Sequence, residues 1–259
     1  MLEQWYDHYE SQCWYENTYL VNKPEQISQR IKLEEGDKEG EWNNIYDSGC
    51  NFVCLSMIIG INPAYLASRL KLLSFFELDT DDDYEALRIN TEVRNEDDYL
   101  VWDINRPCEK KHKSSDKYAH EVKINKVFHP TKGLVDITLK FEHLDKARNH
   151  EVASKKIKIA HEAGMHVICG YEDHSRLVAG QRKIDGQYYL WDPDISTANG
   201  DLIDDEVGEE TMIQRNLGGE YTIKTFFDCY SEDEEYKDEK AELWIYSLEV
   251  KRAEYDIHL

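Results

Sequence analysis

Cys50-Asn51-Phe52-Val53-Cys54-Leu55-Ser56-Met57-Ile58-Ile59, entered from Ser48-Gly49, is apolar nearly all round. That pattern reads as a buried central helix. Just beyond it, Asn62-Pro63 supplies an N-cap followed by proline at the first helical position. Ala64, Leu66, Ala67, Leu70 and Leu73 then recur at helical spacing, which predicts a second helix from Pro63 to about Leu73. From Gly164 the period changes to that of strands. Met165–Tyr171, Ser175–Gln181 and Gln187–Trp191, the last preceded by Asp185-Gly186, read as three consecutive strands of one sheet. Leu134–Leu139 alternates like a short strand. Asp145–Glu162 reads as a helix with Val152, Ile157, Ile159 and Ala160 facing inward, and Leu243–Val250 as a last strand. With no internal repeat and no clear linker, residues 1–259 are expected to form a single α+β domain.

The 259 residues carry 31 Lys+Arg against 53 Asp+Glu, a net charge of −22, yet 41% are hydrophobic and 12% aromatic. The chain is therefore acidic but foldable, with more aromatic packing surface than a disordered acidic chain contains. Such a charge repels nucleic acid and anionic membranes, which leaves peptides, small molecules and proteins as partners. It is unevenly spread. Residues 106–158 hold 14 Lys/Arg against seven Asp/Glu, a local +7 that leaves −29 on the remainder, and this segment reads as a basic insertion whose stretch 110–132 forms an exposed ribbon. No apolar run approaches a membrane span, and Met1–His8 lacks a signal-peptide profile, so a cytoplasmic product is expected. The cysteines at 13, 50, 54, 108, 169 and 229 share no metal-site or disulfide spacing and read as reduced thiols. Asp79–Asp83 is acidic but lacks the glycine and downstream glutamate of a calcium loop. No metal or cofactor is expected.

Cysteine chemistry needs a thiolate, which proteins hold at neutral pH by placing the sulfur at a helix N-terminus beside an imidazole. Cys50 opens the buried helix behind the turn at Ser48-Gly49, whereas Cys54, one turn further in, packs as a small apolar residue. His174 starts one predicted strand and Asp192 ends the next. A hairpin loop centred on residue 183 sets His174 opposite Asp192, and this requires a loop spanning about Gln181 to Asp185. A two-residue turn at Asp185-Gly186 instead pairs Ala179 with Asp192 and moves His174 roughly 17 Å away. Centring at 184 favours Asp194 as the partner. His166, on the preceding strand, is the rival base. His161-Glu162-Ala163-Gly164-Met165-His166 resembles a zinc-protease motif but has one residue too many between its histidines.

These blocks, in their order Gly49–Met57, Asn62–Leu66, Gly164–Ile168, His174–Gly180 and Asp192-Pro193, resemble the papain-like cysteine peptidases of the bacteriocin-leader-processing, C39-like group. The resemblance covers about a quarter of the chain. It implies a papain-like fold, a central N-terminal helix packed on a C-terminal antiparallel sheet, with Cys50 as nucleophile, His174 as general base and acid, and Asp192 as the residue orienting the imidazole. In that group a glutamine upstream of the nucleophile, often in a Ser-Gln context followed by Trp, donates to the oxyanion. Ser11-Gln12-Cys13-Trp14 matches, which makes Gln12 the candidate, although its separation of 38 residues from Cys50 is long; Asn43 or Asn44 are the alternatives. The expected activity is hydrolysis of a peptide or isopeptide amide bond through a thioester acyl enzyme, on a peptide or protein substrate for which the acidic body favours basic residues. The alternative from another class is a catalytically silent papain-like module binding a protein partner through its charged faces.

Overall fold

The computed structural model describes residues 1–15, 45–72, 76–78, 87–89, 100–102, 121–171, 174–195, 209–232 and 240–253. The expectations for Asn43, Asn44, the acidic loop 79–83 and stretch 110–120 fall outside these residues.

Helices and antiparallel strands mix in an α+β arrangement. The main sheet has seven strands in the order β1 (Leu2–Gln4), β8 (His174–Arg182), β7 (His166–Tyr171), β10 (Ala241–Arg252), β6 (Gly133–Ala147) and β5 (Glu121–His129), with β9 (Tyr188–Trp191) also paired to β8. Three short strands, β2 (Phe76–Leu78), β3 (Leu87–Ile89) and β4 (Leu100–Trp102), form a second antiparallel sheet. The helices are α1 (Ile45–Ser48), α2 (Cys50–Ile59), α3 (Pro63–Leu72), α4 (His150–Glu162), α5 (Glu209–Gly218) and α6 (Ile223–Glu232). A 3-10 turn covers Gln12–Tyr15.

Period-two alternation divides the core between the faces of the main sheet. Ile168, Leu177, Ala179, Trp244 and Tyr246 pack with α2 on one side. Val167, Cys169, Val178, Leu243 and Ile245 pack with α4 and α6 on the other. This is why every residue of α2 is buried: the sheet covers one side, and Ile45, Leu66 and the N-terminal tyrosines cover the rest. Each of its large apolar side chains contributes about 1.5–3 kcal/mol on burial. The predicted α3 starts as expected, with Asn62 Oδ1 accepting from the Tyr65 amide at 3.2 Å.

Three expectations need correction. The predicted helix 145–162 begins only at His150, capped by Asn149, whose side chain accepts from the Val152 amide; Asp145–Ala147 end β6 instead. Its buried face is Ala153, Ile157 and Ala160, spaced at four and three, while Val152 is 37% and Ile159 68% exposed. The short strand at Leu134–Leu139 is part of a 15-residue strand. Within the segment expected as a basic insertion, residues 121–158 form β5, β6 and most of α4, and β6 lies between β5 and β10 inside the main sheet. No helix among the described residues is long and apolar enough to cross a membrane.

Candidate active site

Cys50 is the first residue of α2. Its N-cap, Gly49, has no side chain to bond the first-turn amides, and Cys50 thus sits at the positive end of the helix dipole. Glycine is required there for another reason. The Gly49 amide donates to Ile45 O at 2.9 Å, and a Cβ at this position would lie 2.4 Å from that same carbonyl oxygen. Further along α2, Asn51 Nδ2 donates to Ser175 Oγ at 3.5 Å and the Cys54 thiol reaches Ser175 O at 3.7 Å. Both contacts tie α2 to β8 at the residue next to His174.

The β8–β9 register differs from the one expected. Leu177 pairs with Trp191 and Val178 with Leu190, which centres the hairpin on residue 184. Beyond a bulge at Ala179 the pairs become Gly180 with Tyr189 and Gln181 with Tyr188. The two-residue turn at Asp185-Gly186 is absent; Lys183–Gln187 connect the strands, with Gly186 at φ 71°. Centring at 184 was the register expected to favour Asp194, yet Asp192 takes the histidine. His174 Nε2 lies 2.5 Å from Asp192 Oδ1, and Arg176 Nε donates to Asp192 Oδ2 at 2.9 Å. His174 and Arg176 are two apart on one strand and share a face, so a carboxylate placed across from the second also reaches the first. Asp194 is turned away. Its backbone amide donates to Asp192 Oδ1 at 2.9 Å, and its own Oδ1 accepts from the Cys13 thiol at 3.3 Å.

Cys50 is hydrogen-bonded to the His174 ring, and because Asp192 occupies Nε2, Nδ1 is the nitrogen left for the sulfur. Burial alone would push the Cys50 thiol up. The hydrogen bond and charge of His174, with hydrogen bonds from the backbone and side chain of Ser175, outweigh it and bring the thiol below its ordinary value. For His174, burial acts downward, but the Asp192 carboxylate raises the imidazole to about 9. Burial would raise Asp192, yet His174 and Arg176 hold it at about 2. Cys54, by contrast, is kept well above the thiol range by burial and by its neighbour Cys50. The arrangement favours a thiolate–imidazolium pair at Cys50 and a neutral thiol one turn deeper.

Gln12 reaches this end of α2 through the N-terminal segment, which runs alongside the end of β9: the Tyr9 hydroxyl donates to Asp192 O, and Ser11 Oγ and the Gln12 amide each donate to Pro193 O at 2.8 Å. Gln12 is buried and its Nε2 donates to Tyr46 O at 2.9 Å, which spends one of its two amide protons, while Oε1 has no hydrogen-bond partner among the described residues. The long sequence gap to Cys50 is thus closed in space through α1.

His166 stands elsewhere. Its Nδ1 faces the Tyr6 hydroxyl at 3.0 Å, burial lowers it to about 4, and it lines a cavity of about 360 Å³ with Met57, Gly60, His129 and Lys132 at the far end of α2. It is a neutral histidine without a cysteine to activate. His161 stacks on Trp5 at 3.7 Å rather than joining it, and no metal-ligand cluster occurs among the described residues. Sequence reasoning assigned no role to Arg176 or to Asn216 of α5, whose Oδ1 accepts from the Asp192 amide at 3.0 Å. The unused signal for Arg176 is a charged residue two positions after His174 inside an apolar strand. Asn216 has no local signal at all. Compared with protein-family models, curated proteins and solved structures, the chain has no match.

Proposed function

We propose that this chain is a cysteine hydrolase of amide bonds, with Cys50, His174 and Asp192 as its triad on a papain-like fold of the C39-like type. The observation that carries the reading is that Cys50 is hydrogen-bonded to the His174 ring while His174 Nε2 faces Asp192 Oδ1 at 2.5 Å, with the thiol lowered and the imidazole raised. In the reaction, the Cys50 thiolate attacks the substrate carbonyl carbon. The backbone amide of Cys50 and the second Nε2 proton of Gln12 receive the oxyanion, each such donor contributing about 3 kcal/mol. His174 gives its proton to the leaving amine as the C–N bond breaks, leaving a thioester. It then takes a proton from water, whose hydroxide displaces Cys50 and releases the acid.

Cys50 is only 3% exposed, and this favours a second reading, a catalytically silent module that binds a protein partner through its charged faces. Alkylation with iodoacetamide across pH, read cysteine by cysteine by mass spectrometry, separates the two. The hydrolase requires Cys50 to react first among the six thiols, with a midpoint below the free-thiol value of about 8.5. A Cys50 that reacts no faster than Cys13 or Cys229 supports the silent module.

A further inference from the structure

Asp192 serves two cations. Its Oδ1 faces His174 Nε2 at 2.5 Å and accepts the Asp194 amide at 2.9 Å, while its Oδ2 accepts Arg176 Nε at 2.9 Å. The Arg176 side chain is 3% exposed, and its guanidinium lies over the rings of Tyr221 and Phe226 at 5.7 and 5.4 Å. A guanidinium in such a place has lost most of its hydration, which costs several kcal/mol unless other charges compensate. The hydrogen bonds of the Asp192 backbone to Tyr9 and Asn216 already hold that residue in place, so orientation of Asp192 is a weak reason for a buried arginine.

Charge is a better one. A working triad holds a thiolate, an imidazolium and a carboxylate together, a net charge of −1 enclosed between α2 and the sheet. Arg176 brings that sum to zero. Of the other titratable groups near the pair, Cys54 from α2 and Tyr9 from the N-terminal segment are both kept protonated by burial, and the buried Asp194 carboxylate is turned to the Cys13 thiol, so among the described residues Arg176 is the cation besides His174 that meets Asp192.

We propose that Arg176 is a positioning residue of this site, acting through Asp192 as the counter-cation that makes the Cys50–His174–Asp192 unit electrically neutral when the thiolate forms. It touches neither substrate nor the reacting atoms. It takes one oxygen of the carboxylate, so that the imidazolium is held less tightly and remains an acid able to give its proton to a leaving amine. The inference rests on the hydrolase reading above.

The sign of its effect is fixed. Removing a positive charge raises the proton affinity of every group nearby, so in Arg176→Met both the Cys50 and the His174 transitions must move to higher pH. They are read from the pH dependence of Cys50 alkylation, with neutral iodoacetamide reporting the thiolate and the ratio of anionic iodoacetate to iodoacetamide reporting the imidazolium. The expected result is an upward shift of both by about half a pH unit or more, a loss of threefold or more in the iodoacetamide rate on the acid limb, and a return towards wild type in Arg176→Lys. Arg176→Gln, which keeps a donor without the charge, carries the same expectation where the Met variant does not fold. A folded neutral variant with unmoved or lowered transitions overturns the inference. A wild-type Cys50 that shows no low-pH thiolate overturns the hydrolase reading instead, so the two failures are distinct.

Discussion

Asp192→Asn tests the site most sharply, because it removes a charge and leaves a side chain of the same size. In the wild type, His174 is raised from 6.5 to about 9, chiefly by Asp192 working against burial. That difference corresponds to about 3 kcal/mol of preference for the imidazolium. With asparagine in place, burial and the Arg176 charge, which both act downward, are opposed only by the hydrogen bond to Cys50, and the His174 transition moves to lower pH. The iodoacetate preference of Cys50, which depends on the imidazolium, therefore ends near pH 9 in the wild type and at a clearly lower pH in the variant. Stability changes as well. Asp192 is lowered from 3.8 to about 2, so its contribution is present above its unfolded value and is lost as pH falls through about 2. His174 is raised, so its contribution is complete below 6.5 and lost as pH rises through about 9. These describe one ion pair seen from its two ends, and they bracket a window of maximal stability from about pH 4 to 6.5. Asp192→Asn leaves Arg176 and His174 without their anion, a loss of about 3–5 kcal/mol in that window by urea unfolding. The double variant Arg176→Met with Asp192→Asn has no orphaned guanidinium and loses less. An alkaline transition that stays near pH 9 in Asp192→Asn, in protein shown to be folded, means that Cys50 or another group, and not Asp192, holds the His174 proton, and Asp192 falls out of the triad.

Gly49→Ala places a Cβ 2.4 Å from Ile45 O and 2.7 Å from Ile45 Cα, both backbone, so α1 or the start of α2 must move. We expect a loss of about 2 kcal/mol or more in denaturant unfolding and slower Cys50 alkylation, whereas an unchanged rate would mean that the approach of α1 does not set the position of the sulfur. The acidic body, with its net charge of −22, predicts that a peptide bearing Lys or Arg near its scissile bond is cleaved faster than an acidic one at low salt, the difference shrinking as salt is added. Equal low-salt rates would confine the charge to solubility.

Much of the architecture is legible because it follows from local pattern. Ten residues apolar on all sides, ending in a glycine with φ 77°, delimit α2 at Cys50–Ile59. Period-two alternation likewise locates β7, β8, β9 and β10 to within two residues. The failures occur where the pattern is ambiguous. Ile159 is apolar and sits at helical spacing, but Ala153, Ile157 and Ala160 are the residues that face the sheet, and small alanines are a weak hydrophobic signal. β5 and β6 are rich in Lys and His because part of their surface is solvated. A half-exposed strand with cationic side chains carries the same composition as an exposed ribbon, and only its pairing to β10 places it in the main sheet.

The site was harder to locate, for a reason that the β8–β9 hairpin makes concrete. Sequence arithmetic assumes a regular ladder in which one centre determines every pair. The bulge at Ala179 adds a residue to one strand, so the pairs on its two sides have different centres and no single centre predicts both. Asp192 meets His174 on a register other than the one expected, reached diagonally because His174 and Arg176 lie on one face of β8. The same logic separates the two histidines that sequence reasoning kept as rivals. His174 and His166 both begin a strand and are both half-buried. One meets a carboxylate and is raised to about 9; the other meets a phenol and falls to about 4. A neutral hydrogen-bond partner cannot offset the desolvation of an imidazolium, whereas a carboxylate can. The neighbour across the sheet, not the strand position, decides which histidine can hold a proton for chemistry.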